Sequence, residues 1–261
     1  MSEGRSTDPL AGLSLAVSLL TVAPVPVRDR GGEAPGALAS PKLGPAAPWF
    51  PLVGAVIGAF AGGIRVGAAP LVGTSVASVL ALIALVAVTG ALHQDGLADC
   101  SDGLGVRGDR ERRLTVMRDS ALGAFGVLAL IGWALLFVTA LAALDDGEAI
   151  LALIAAAALA RWAALLHAAA APPARSNGLG ASFSPSRNAL AIATIAALAL
   201  AFLTGGALPG LAAVGGALLA TALLTLWSRH TLGGRTGDTL GGTVAVAEVV
   251  VLLALVACWT G

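Results

Sequence analysis

Apolar residues in this chain are gathered into long runs with short polar stretches between them, and the length of each run decides what it can become. A helix needs about 20 residues to cross the hydrocarbon core of a bilayer. The runs 49–66, 70–92, 122–144, 150–171, 208–227 and 243–259 reach or approach that length. Run 189–203 is shorter and pairs with 208–227 as a hairpin around Gly205, Gly206 and Pro209. Run 10–27 is closed by Pro24 and Pro26, so it either spans or enters the membrane only partway. The pattern predicts an all-α fold, a polytopic membrane bundle of about seven helices with six to eight admissible, in one domain covering 1–261. Within 49–66, Gly54, Gly58 and Gly62 recur at four-residue steps, with Gly63 beside them. Small residues on one face predict close contact with a neighbouring helix.

Composition agrees. Hydrophobic residues make up 57% of the chain and charged residues 11%, and the mean hydropathy of +0.89 is far above that of soluble domains. With no Tyr, interfacial anchoring falls to five Trp and to snorkelling Arg. Fifteen basic and fifteen acidic residues cancel, which excludes the basic excess of a nucleic-acid binder. Cys100 and Cys258 lie in different settings, and two thiols make neither a disulfide framework nor a zinc site. A cleaved signal peptide is disfavoured, because Arg5 is the only base near run 10–27 and the prolines spoil a cleavage site.

The few charges are distributed unevenly. The stretches after the first, third, fifth and seventh runs carry Arg or Lys; those after the second, fourth and sixth carry none, apart from Arg65 at a helix edge. The fourth is an acidic turn, Asp145, Asp146 and Glu148, with no base of its own. The positive-inside rule places the basic loops in the cytoplasm, so that 93–120, 172–188 and 228–242 converge on one membrane face.

The first of these loops holds the densest chemistry. Residues 93–119 carry Asp95, Asp99, Asp102, Asp109, Glu111 and Asp119 together with Arg107, Arg110, Arg112, Arg113 and Arg118. On a helix, steps of four and then three residues keep Asp95, Asp99 and Asp102 within about 60° of one face. Bare carboxylates so placed repel one another, and a hard divalent cation removes the repulsion. Mg²⁺ suits a site whose other ligands are water and substrate phosphates. Gly96, Gly103, Gly105 and Gly108 allow close approach of backbone to a ligand, and the arginines that follow match phosphate oxygens. The residues point to metal-assisted chemistry on a phosphorylated substrate, against the plainer reading of a solvated loop. Arg161 falls mid-run, where an unpaired charge costs at least ~2.5 kcal/mol. It is expected to face the bundle interior, paired with the central Asp group, with a substrate phosphate, or in a structural ion pair.

Residues 93–103, His-Gln-Asp-Gly-Leu-Ala-Asp-Cys-Ser-Asp-Gly, followed by Met117-Arg118-Asp119-Ser120, resemble the signature of the cobalamin synthase family, the adenosylcobinamide-GDP ribazoletransferases. The likeness extends through 21–27, Phe50-Pro51-Leu52-Val53-Gly54, Arg161-Trp162, Arg175 with Gly178-Leu179-Gly180, and residues 233–241 with Glu248, in order along nearly the whole chain. Gln94, Cys100 and Ser101 depart from an expected Leu, Thr and Ala, and Ala121 stands where a base is common.

The resemblance implies a bacterial inner-membrane transferase whose active site faces the cytoplasm. It would join α-ribazole, or its 5′-phosphate, to adenosylcobinamide-GDP with release of GMP, use Mg²⁺, and sit among other late enzymes of cobalamin biosynthesis. On this reading Asp95, Asp99 and Asp102 hold the metal, and Asp119 or Asp238 completes its shell or accepts a proton. His93 orients a carboxylate, and Arg118, Arg175 and Arg235 face phosphates. Gly96, Gly103 and Gly237 join Arg161 on the substrate side. A CDP-alcohol phosphotransferase is the nearest alternative, but Cys100-Ser101 replace its Ala-Arg step. A transporter would place ionisable residues mid-membrane in two repeats, and only Arg161 is so placed.

Overall fold

The computed structural model describes residues 9–25, 44–176 and 178–261. Its helices are α1 (Pro9–Leu20), α2 (Phe50–Val72), α3 (Thr74–Thr89), α4 (Leu92–Gly105), α5 (Arg110–Val116), α6 (Ala124–Ala142), α7 (Asp146–Ala170), α8 (Leu179–Ser182), α9 (Arg187–Gly205), α10 (Ala207–Leu232) and α11 (Gly237–Trp259). A 3₁₀ segment, Gly44–Trp49, leads into α2. Among the described residues six helical rods are long and apolar enough to cross a membrane, and seven if α3 and α4 count as one broken rod. This is the expected polytopic bundle. The first apolar run yields only the 12-residue α1, and the linker bases Arg28, Arg30 and Lys42 lie outside the described residues.

Three boundaries differ from the run pattern. Run 70–92 is not a clean span. Pro70 belongs to the last turn of α2, and the break comes at Gly73, whose φ of 79° and N–H bond to Ala69 O close that helix. At the other end Gly90 (φ 62°) and Ala91 (φ 59°) adopt the left-handed conformation, so α4 leaves α3 at 92°. A non-glycine residue in that region is uncommon and strained; here it turns the acidic helix across the end of the bundle, outside the membrane-crossing rods. The second difference is the final polar loop. Helix α10 continues through Ser228, Arg229 and His230 to Leu232, leaving only residues 233–236 between it and α11. Third, the acidic turn is a helix start: Asp145 and Glu148 form a capping box on α7, and Arg65 supplies the missing base. Arg65 is buried, pairs with Asp146 at 2.7 Å and donates to Leu144 O at 3.1 Å.

Alanine-rich α7 is the axis of the bundle, buried along most of its length. It can be approached so closely because α2 meets it with glycine. A Cβ added to Gly54 would lie 2.4 Å from Ala157 O, and one on Gly58 only 2.1 Å from Leu153 O. Gly62 abuts Ile150, whereas Gly63 faces open space. The stripe is therefore a backbone-to-backbone contact. The lipid-facing surfaces are apolar, as at Leu128, Leu135, Ile195 and Leu226.

Candidate active site

Helix α4 brings its carboxylates to α11 through another glycine crossing. A Cβ on Gly96 would stand 2.6 Å from Asp238 O and 3.0 Å from Gly242 N. Gly96 thus serves helix packing, and the contact sets Asp95 and Asp99 beside Asp238 on the first turn of α11. That turn begins with a capping box in which Thr236 accepts from Thr239 N–H and Thr239 accepts from Thr236 N–H. Because Thr236 is the cap, the Asp238 carboxylate stays free of that duty; it accepts from Thr236 Oγ1 at 3.1 Å. Arg175 Nη1 stands 4.0 Å from Asp238 Oδ2, and its Nη2 donates to Leu114 O at 2.9 Å. Partial burial, then the neighbouring Asp238, Asp95 and Asp102, push the Asp99 carboxyl up to about 7, with Arg175 opposing. The Arg175 guanidinium moves down from its ordinary range through burial and then the charge of Arg118, against the pull of Asp238 and Asp99. Asp95, Asp99, Asp238 and Arg175 form one electrostatic unit.

The three polar segments interlock around it. Pro173 and Arg235 pair as a parallel bridge, with Ala174 N–H to Arg235 O and Arg235 N–H to Pro172 O, both 2.8 Å. Arg110 ties α5 to both neighbours, donating to Leu232 O at 2.7 Å and to Ala174 O at 2.5 Å.

Several expected site residues have other partners. The oxygens of Asp102 accept Gly123 N–H at 2.8 Å and Gly126 N–H at 2.9 Å, so the carboxylate caps α6 across helices. With Asp102 turned to α6, the expected three-carboxylate ligand set on α4 is not assembled. No group of three or more His, Cys, Asp or Glu among the described residues stands ready to hold a metal ion. Asp119 accepts from Ala121 N–H at 3.0 Å in an exposed turn. Arg235 is buried and donates to Gly180 O, Ala171 O, Phe183 O and Ser184 Oγ, so four of its five N–H donors hold these neighbouring segments together instead of a phosphate. Arg161, fully buried, pairs with Glu248, the structural ion pair among the expected partners, and not with the central Asp group. Gly103 is packed, a Cβ there lying 2.7 Å from the Met117 side chain. His93 is buried with Nδ1 unpartnered and makes no hydrogen bond to a carboxylate among the described residues. Arg118 is exposed and sensed by Arg175, and Gly237 lines the cavities described below.

Four residues take roles that the sequence did not assign to them. Glu248 is a lone carboxylate in an apolar run, which could have flagged it as the partner of Arg161. Thr236 reads as a capping residue three positions before Thr239. His167 links Thr243 Oγ1 (2.7 Å) to Ser228 Oγ (3.1 Å), joining α7, α11 and α10. Arg110 gave no signal among five clustered arginines.

Two cavities meet at Asp238. One, of about 220 Å³, is lined by Arg175, Gly178, Thr236 and Asp238. The other, of about 190 Å³, is mostly apolar, with Leu20, Phe50, Leu179, Phe183 and Val244 on its walls and Asp95 and Asp238 at its polar end. The first can hold a phosphorylated group between the Arg175 cation and the Asp238 carboxylate, and the second an apolar one beside it.

Residues 12–256 match the sequence family described as cobalamin-5-phosphate synthase. The chain is similar to the adenosylcobinamide-GDP ribazoletransferase of Azorhizobium caulinodans, 40% identical over 95% of this chain and 96% of that protein. It is similar to that of Roseiflexus sp., 37% identical over 95% and 90%, and to that of Sinorhizobium medicae, 40% identical over 92% and 94%. No solved structure matches the chain.

Proposed function

The chain belongs to the cobalamin-5-phosphate synthase family, and from that premise we propose that it joins α-ribazole, or α-ribazole 5′-phosphate, to adenosylcobinamide-GDP with release of GMP. The observation that carries the chemistry is the meeting of Asp95, Asp99 and Asp238 with Arg175 where two cavities adjoin. A hydroxyl oxygen of the acceptor forms the new bond to the phosphorus on the cobinamide side. The bond from that phosphorus to the bridging oxygen breaks, and GMP leaves with the bridging oxygen. The hydroxyl proton passes to a carboxylate, and Asp238, at the junction of the cavities, is our assignment for it. Arg175 balances the charge of the diphosphate; its unpartnered, buried Nε and long contact to Asp238 leave it donors to give.

The donor set fits magnesium. Two oxygen-donor carboxylates one helical turn apart, Asp95 and Asp99, are the usual protein share for Mg²⁺, the substrate phosphates and water supplying the rest. A site lacking a preformed cluster of three ligands would then depend on substrate phosphates and water to complete the metal's shell. When bound, Mg²⁺ would neutralise phosphate charge. Orientation of this face towards the cytoplasm is supported by the distribution of Arg and Lys among the loops; a place in a bacterial inner membrane among other late enzymes of the pathway is what membership of the family implies.

Purified protein in detergent, supplied with adenosylcobinamide-GDP, α-ribazole and Mg²⁺, is expected to release GMP, and Asp99→Ala to lose that release. Equal GMP from Asp99→Ala would overturn the assignment of the metal to Asp95 and Asp99.

A further inference from the structure

We propose that the apolar cavity under Asp95 and Asp238 is the seat of the acceptor's aromatic base, and so the place where the enzyme selects its nucleoside. The inference rests on the transferase reading and adds to it which part of which substrate goes where. Size comes first. At about 190 Å³ the cavity exceeds the ~150 Å³ engineered hole that takes up benzene, which suits a bicyclic ring and is far too small for a corrinoid. Polarity comes second. The walls from α1, α2, α7, α8 and α11 offer hydrocarbon and the ring of Phe50, itself stacked on Phe183 at 5.2 Å. A guanine would leave its many polar edges unpaired there, whereas a dimethylated benzimidazole, the base of α-ribazole, has one free ring nitrogen and an otherwise apolar outline. Position comes third. Asp238 and Gly237 line this cavity and also the neighbouring one that holds Arg175. A nucleoside with its base in the apolar cavity therefore presents its sugar hydroxyls at the carboxylates, next to the space left for the diphosphate.

Ala164, buried on α7, lines the apolar cavity and is not among the charged groups of the site. Ala164→Leu is expected to raise KM for α-ribazole by about tenfold or more, the effect of a misfitted methylene or two in an apolar pocket. KM for adenosylcobinamide-GDP should be unchanged. With the wild type, the riboside of unmethylated benzimidazole should show a raised KM and should lose less than α-ribazole on Ala164→Leu. Should that variant fail to fold, the comparison of acceptors on the wild type decides. A purine riboside accepted with the same KM as α-ribazole, or a parallel rise of both KM values in Ala164→Leu, overturns the assignment.

Direct binding of α-ribazole to the detergent-solubilised protein, followed without turnover, separates the two ideas. Binding that Ala164→Leu weakens, in a protein that releases no GMP, keeps the cavity and discards the transferase reading. Failure of α-ribazole to bind, or a tightly held acyl lipid that it does not displace, discards the cavity.

Discussion

Asp99 holds a proton more readily than a carboxylate in water because its ionised form is partly stripped of solvent and faces Asp238, Asp95 and Asp102. Its value moves from 3.8 in the unfolded chain to about 7 in the fold. The folded state therefore binds the extra proton between those values, and the contribution of Asp99 to stability is fullest below 3.8 and declines as pH rises towards 7. A metal needs the opposite form. The Mg²⁺ concentration for half-maximal GMP release should fall by about fifteenfold in all as pH rises from 5.5 to 7 and level off above, as one competing proton requires. Metal titrations at stepped pH check this, and an apparent affinity independent of pH would reject Asp99 as the titrating ligand. The two arginines that sequence treats alike should separate. Arg175→Ala removes a donor beside the carboxylates and is expected to lower kcat/KM by about 10²-fold or more with the protein still monodisperse. Arg235→Ala leaves the carbonyls of Ala171, Gly180 and Phe183 unpaired, so heat-induced aggregation in detergent should come several degrees earlier. Equal kinetic losses with equal melting curves would put Arg235 back among the phosphate contacts.

At the level of helices, the α2–α7 crossing depends on which face each glycine occupies. Gly58→Ala drives a methyl to 2.1 Å from Leu153 O, a backbone atom that cannot swing away. The helices must part, at about 1–3 kcal/mol. Gly63→Ala meets nothing within 4 Å and should leave stability level or slightly raised. Melting the two variants in one detergent gives the comparison, and equal losses would mean that helix propensity matters here more than contact. The stripe was legible because a four-residue step is a property of the chain itself, and so was the placing of Asp95 and Asp99 on one face of α4. What the sequence could not show depends on a second element. The bend at Gly90 and Ala91 lies inside what reads as continuous apolar chain. Asp102 belongs by spacing with Asp95 and Asp99, but the unpaired N–H groups opening α6 draw it away. Arg235 stands in a motif rich in phosphate-binding residue types, and only the placing of Ala171, Gly180, Phe183 and Ser184 around it reveals a clamp.

Across the whole molecule charge is sorted by end. Helix α6 starts at Ala124, next to the Asp102 carboxylate, and ends at Ala142, just before the acidic turn and the Arg65–Asp146 pair. The active-site loops and the acidic turn thus lie at opposite ends of a 19-residue rod, about 28 Å long at 1.5 Å per residue and close to the thickness of the hydrocarbon core. Arg107, Arg110, Arg112, Arg113 and Arg118 gather at the first end, whereas the single base at the second among the described residues, Arg65, is buried and neutralised. Juxtamembrane Lys and Arg are retained on the cytoplasmic side, and acidic residues contribute little to that choice. Arg112 and Gly147 are both exposed and mark the two ends, so a cysteine at each reports the orientation once Cys258 and the buried Cys100 are replaced. In intact cells a membrane-impermeant maleimide should label Gly147→Cys, and Arg112→Cys only after lysis. The reverse pattern would place the carboxylates and their substrates on the outer side, and would mean that the loop arginines are held for their contacts, such as Arg110 to Leu232 and Ala174, and not for the retention of charge.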